Sequence, residues 1–163
     1  VIDETPRERR LTSSFATDQE SPGLGLWRIS NRWQAHQRRA LAPFGLTHVQ
    51  FVLLASLVWL EGTQPVTQNE LARFAHIDPM MTSQVLRVLE DKGLLRRERH
   101  PRDARAKALV TTPEGVAVAN HANGAVEAAD VAFFAPRTNE ERAFFSQILT
   151  RLSNHTPPTE PET

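Results

Sequence analysis

Between residues 24 and 41 apolar side chains recur at helical spacing, with Leu26, Ile29, Trp33, Ala40 and Leu41 on one side and Trp27 beside the stripe. Pro43 and Gly45 break this pattern. Thr47 to Gln50 then reads as a capping box, in which each end's side chain accepts the other's backbone N–H. The run it opens, FVLLASLVWL, is apolar nearly all round and is ended by Gly62 and Pro65. A helix with no polar face is expected to be buried on every side, which places this one at the centre of the fold. Thr67 to Glu70 forms a second box, followed by Leu71, Ala72, Phe74 and Ala75 as a stripe and by Ile77 just beyond it. Asp78 and Pro79 begin another helix, because aspartate caps free amides and proline lacks the donor that would go unpaired there. The connection of about three residues is that of a helix-turn-helix.

In that second helix Met81, Val85, Val88 and Leu89 are expected to face the core, with Met80, Ser83, Gln84 and Arg87 opposite. Gly93 ends it as a left-handed cap. Two strand-like runs follow, Leu94 to His100 and Ala108 to Thr112, joined by the turn PRDARAK into a β-hairpin. Thr112, Pro113, Glu114 and Gly115 then start a long helix whose apolar residues are mostly Ala and Val, suited to close helix packing and equally to helix propensity alone. Pro136 stops it, and Thr138 to Glu141 cap a last helix. There Phe144, Phe145, Ile148, Leu149 and Leu152 exceed what one terminal helix can cover by itself. Residues 1–21 and 154–163 are polar or proline-rich and read as a disordered or arm-like tail and a disordered tail. Arg7, Arg9 and Arg10 in the first tail suit either a phosphate contact or plain solvation. The fold class is mainly α (α+β).

Composition narrows what these elements can do. At 163 residues the chain suits one domain, with helices to spare for pairing with another copy. Its formal net charge of zero argues against non-specific coating of nucleic acid, so the six basic residues from Arg96 to Lys107 are a local signal. With no cysteine, thiol redox sensing, disulfides and thiolate metal sites are excluded. The longest apolar run is far short of a membrane span, and the expectation is a soluble, cytoplasmic protein. No catalytic constellation is visible: there is no Gly-rich phosphate loop, no nucleophile elbow and no His-x-x-x-His spacing, so no enzyme and no cofactor are expected. A metal site built by folding from His36, His48 and acids is the lesser alternative to ordinary scattered histidines.

Ser83, Gln84 and Arg87 make a short, polar and donor-rich face able to read base edges in a major groove that admits a helix. The plain alternative is a solvated helix face. The hairpin tip carries Arg102, Arg105 and Lys107 against Asp103. An arginine at a hairpin tip suits the negative potential of a narrow minor groove, and Asp103 stands close enough in sequence to hold and aim Arg105. A wing and helix used to dock another protein is the alternative class, and the basic excess favours phosphate over it.

The run LEDKGLLRRERHPRDARAKALVTTPEG, residues 89 to 115, resembles the winged-helix signature of MarR-type bacterial transcription regulators. It shows Leu-Glu-x-x-Gly-Leu, an Asp-x-Arg wing and a Thr-x-x-Gly helix start, with Val110 standing between Leu109 and Thr111 where the family runs Leu-Thr. The resemblance is strongest from Thr47 to Gly115. It implies a winged helix over about residues 47–112 inside a MarR-type domain of 22–153, with dimerisation helices at about 22–42 and 113–153. It also implies DNA contact by Asp103, Arg105, Ser83, Gln84 and Arg87, although the family commonly has arginine where this chain has Gln84. The expected function is a repressor that binds an inverted repeat of double-stranded DNA as a homodimer. Release by a small aromatic or phenolic ligand is further implied, in a cleft walled by Trp27, Trp33, Phe44, Phe51 and Trp59 with Arg28, His36 and His48 as polar partners, unless these aromatics are simply core. A metal-responsive regulator is the remaining alternative.

Overall fold

The computed structural model describes residues 12–61, 65–101 and 106–155, so Gly62, Arg102, Asp103, Arg105 and the outer parts of both tails, with Arg7, Arg9 and Arg10, lie outside the described residues. The chain divides into two compact units, Val1–Ala35 and His36–Thr163. The first holds a 3-10 turn at Asp18–Glu20 and the opening part of α1 (Pro22–Leu41). Arg28 pairs with Asp18 at 2.7 Å and holds that exposed carboxyl below the usual carboxylate range.

The second unit is built around α2 (His48–Glu61). The Thr47 box is formed, with Thr47 N–H donating to Gln50 Oε1 at 3.1 Å and Gln50 N–H to Thr47 Oγ1 at 3.3 Å. Phe51, Leu53, Leu54 and Leu57 are buried, and α2 packs against α3 (Gln68–Ala75), α4 (Pro79–Asp91) and α5 (Pro113–Phe134). It is central, as its composition implies. Burial is not complete, because Trp59 is 78% exposed.

Three antiparallel strands lie in the order β1-β3-β2: β1 (Val66–Thr67), β2 (Leu95–Arg99) and β3 (Lys107–Thr111). Val66 pairs with Leu109 across one edge, and Leu95 with Thr111 across the other. Sequence pattern predicts only the hairpin; β1 is a two-residue strand, too short for any alternation to show. Glu61 at the end of α2 accepts the Thr111 N–H at 2.9 Å and also its hydroxyl, which satisfies a backbone donor at the sheet's end.

Gly93, with φ +71°, passes the chain from α4 to β2. Its N–H donates to Glu90 O at 2.8 Å and that of Leu94 to Leu89 O at 3.0 Å, a Schellman pair that satisfies the last carbonyls. Gly115 answers a different need. A Cβ there would stand 1.9 Å from the Leu94 carbonyl oxygen, so only glycine lets α5 begin against this backbone. α5 turns Gly115, Ala119, Ala122 and Val126 inward toward the core, whereas α6 (Asn139–Ser153) buries no residue.

Candidate nucleic-acid interface

Asp78 sets the start of α4 as expected, accepting the N–H groups of Met80 at 2.9 Å and Met81 at 3.0 Å. The buried face of α4 differs from the expected one. Thr82, Leu86 and Leu89 are fully buried with Val85 partly so, while Met81 and Val88 are exposed. The stripe is displaced by one residue because Thr82 conceals it: its hydroxyl donates to the Asp78 carbonyl at 2.9 Å, which satisfies a polar group that would otherwise count against burial. The opposite face holds as expected, with Met80, Gln84 and Arg87 exposed and Ser83 half-buried.

Both ends of α4 are fixed. Lys92, just past its end, donates to the Gly45 carbonyl at 2.6 Å and to Gln50 Oε1 at 3.1 Å, tying the helix to the corner that precedes α2. Glu90 accepts from Arg97 of β2 at 2.6 Å, a half-buried pair that joins helix to hairpin. Neither tie has a signal in sequence spacing, since each partner comes from a different element. At the other end of the loop α3 finishes at His76 in the left-handed region, φ 51°, beside an open groove lined by Asn69, Ala72, Arg73, Ile77 and Pro79. The capping box of α3 is complete, and the amide and hydroxyl of Thr67 hold the Glu70 carboxyl below its ordinary range.

The hairpin's charge is less uniform than its sequence. Arg96 is paired with Glu98 at 2.6 Å, and Arg97 is taken by Glu90, so two of the basic residues carry acidic partners. Arg99 and Lys107 are instead register partners on adjacent strands, and both are exposed. Like charges placed directly opposite destabilise a sheet by themselves. The His100 N–H donates to the Ala106 carbonyl at 3.3 Å and closes the hairpin across a turn whose Arg102, Asp103 and Arg105 are outside the described residues.

The residues expected to wall a ligand cleft are distributed as follows. Trp27 is exposed and Trp33 half-buried in the first unit. In the second, Phe51 belongs to the main apolar cluster, Phe44 packs against it, and His36 meets Phe133 edge-on at 5.3 Å. A polar group that sequence reasoning missed lies in this unit: Gln37 is fully buried, its Nε2 donates to Asp130 Oδ1 at 2.6 Å, and its Oε1 has no partner among the described residues. Burial lowers the pKa of His48, opposed by the charge of Asp130 and aided by that of Arg38. Among the described residues no three or more His, Asp or Glu side chains are grouped to hold a metal ion. No single described helix is long and apolar enough to cross a membrane.

Two helices joined at a tight turn, with the second helix flanked by a basic hairpin, define a winged helix-turn-helix, a DNA-binding class. Residues 46–107 match the MarR family. The chain is 42% identical over 144 residues to the HTH-type transcriptional regulator YdcH of Bacillus subtilis (strain 168), spanning 88% of this chain and 97% of that protein. It is 33% identical over 132 residues to the HTH-type transcriptional repressor Rv2887 of Mycobacterium tuberculosis (strain ATCC 25618 / H37Rv), over 81% and 93% of the two chains. The crystal structure of Rv2887 in complex with DNA aligns with TM-score 0.62 at 31% identity, over 81% of this chain and 97% of that one. Its complex with p-aminosalicylic acid aligns with TM-score 0.64 at 31% identity, over 82% and 99%. This chain belongs to the MarR family of winged helix-turn-helix transcriptional regulators. It is a DNA-binding regulator and not an enzyme.

Proposed function

We propose that this regulator is a repressor that binds an inverted-repeat operator as a homodimer and is released by a small aromatic or phenolic acid. The observation that carries the reading is the outer face of α4, where Gln84 and Arg87 stand exposed on a helix capped at one end and tied at the other. Ser83, Gln84 and Arg87 read base edges. Arg102, Arg105 and Lys107, with Asp103 aiming Arg105, hold the wing against the backbone and minor groove. The exposed Arg99 beside Lys107 supports an anionic partner, which the phosphates of DNA supply. For release, Rv2887 is the supporting relative, with its complexes of DNA, p-aminosalicylic acid and salicylic acid. Within the second unit, His36, Phe44 and Phe51 are the side chains we assign to the aromatic acid.

Selection from random duplexes tests the reading. Wild type should return an inverted repeat with half-sites about one helical turn apart. Gln84→Ala should relax one base position in each half-site, a loss of about 1–3 kcal/mol of discrimination, with non-specific binding nearly unchanged. An identical motif from the Gln84→Ala and Ser83→Ala proteins would remove the reading role from α4. The selected duplex, titrated with salicylate, should be released from the wild-type protein.

A further inference from the structure

The chain has only two methionines, and they are neighbours on the first turn of α4. Met80 is 72% exposed and Met81 50%. An apolar side chain held so far out of the core contributes little to folding there, while the carboxylate of Asp78 fixes the backbone beneath it. Met80 lies one turn before Gln84 and two before Arg87, so the three share a face. We infer that Met80 reads the C5-methyl of a thymine in the major groove, as an apolar determinant on an otherwise polar reading face.

Residues at the start of a DNA-reading helix are the ones that reach base edges. The thymine methyl is the one apolar mark that a base pair shows in the major groove, and a polar side chain gains nothing against it. A thioether suits the contact because it is unbranched and polarizable and can follow the methyl without a fixed shape. The position of that thymine follows from helix geometry. Four residues of α-helix rise about 6 Å, so it falls within about two base pairs of the position that Gln84 reads. The inference rests on α4 being the reading helix, as proposed above, and adds a base identity to it.

The test uses the full chain and the duplex that wild type selects, remade with uracil in place of each half-site thymine in turn. Uracil keeps every hydrogen-bonding group and removes only the methyl. One uracil position within about two base pairs of the Gln84 position should weaken wild-type binding about fourfold per half-site, the effect of one buried methyl. Met80→Ala should bind the thymine duplex more weakly and be indifferent to uracil at that position, and Met80→Leu should keep most of the sensitivity. A wild-type protein that binds every uracil duplex as well as its parent overturns the inference without need of any variant. So does a motif with no thymine in that window, or a Met80→Ala protein as sensitive to uracil there as wild type. If Gln84→Ala relaxes the motif while no thymine is uracil-sensitive, only the Met80 inference fails. If Gln84→Ala and Ser83→Ala both leave the motif unchanged, the reading beneath it fails as well.

Discussion

Gly115 and Gly124 stand on the same helix and answer to different constraints. At Gly115 an added methyl meets the Leu94 carbonyl, and that carbonyl is already held by the Thr112 N–H at 3.1 Å, so neither side can retreat cheaply. Around Gly124 nothing lies within 4 Å of an added Cβ. Gly115→Ala should therefore destabilise by about 1–3 kcal/mol, as overpacking does, whereas Gly124→Ala should be neutral or stabilise by up to about 1 kcal/mol through helix propensity. Thermal melts of the two proteins check this, and equal midpoints would overturn it. The sequence shows Gly115 as part of a helix start but gives no hint of Leu94, because the close approach arises only when β2 and β3 pair. The same limit hides Gln37 and Asp130, 93 positions apart, which meet only through packing.

At the scale of elements, helix starts are the most legible feature. Capping boxes at Thr67 and Thr138 and the Asp78-Pro79 pair each begin a helix where local hydrogen bonding dictates. Helix faces are less legible where a polar residue is buried. Thr82 turns the stripe of α4 by one position, which exposes Met81 and Val88 and buries Leu86. The hairpin is legible from its strands, while Asp103 and Arg105 lie outside the described residues and keep the role that sequence and resemblance give them. Under that role Asp103 orients Arg105, so Asp103→Ala should weaken DNA binding nearly as much as Arg105→Ala despite removing a negative charge. Fluorescence anisotropy with specific and scrambled duplexes measures both. Tighter binding by Asp103→Ala, as net charge alone requires, would mean that no such positioning occurs.

For the whole molecule the telling feature is apolar surface without cover. α6 buries nothing, with Phe144 63% and Leu152 60% exposed, and α1 separately exposes Leu26 and Trp27. A second copy is the partner we propose for these helices. Sedimentation should give a dimer at micromolar concentration. A Phe144→Glu, Leu152→Glu double variant should be monomeric and lose affinity for the full operator more than for one half-site. A wild-type monomer would end the proposal. Salt then acts on such a molecule with two signs. Dissolved ions weaken DNA binding by about 0.9 log unit per decade for each phosphate contact. They also screen the facing cations Arg99 and Lys107, while they weaken the Arg96–Glu98 and Arg97–Glu90 pairs. A polyanion laid along that edge would do locally what dissolved ions do in the free hairpin, so we propose that DNA contact there offsets the repulsion between the two facing cations.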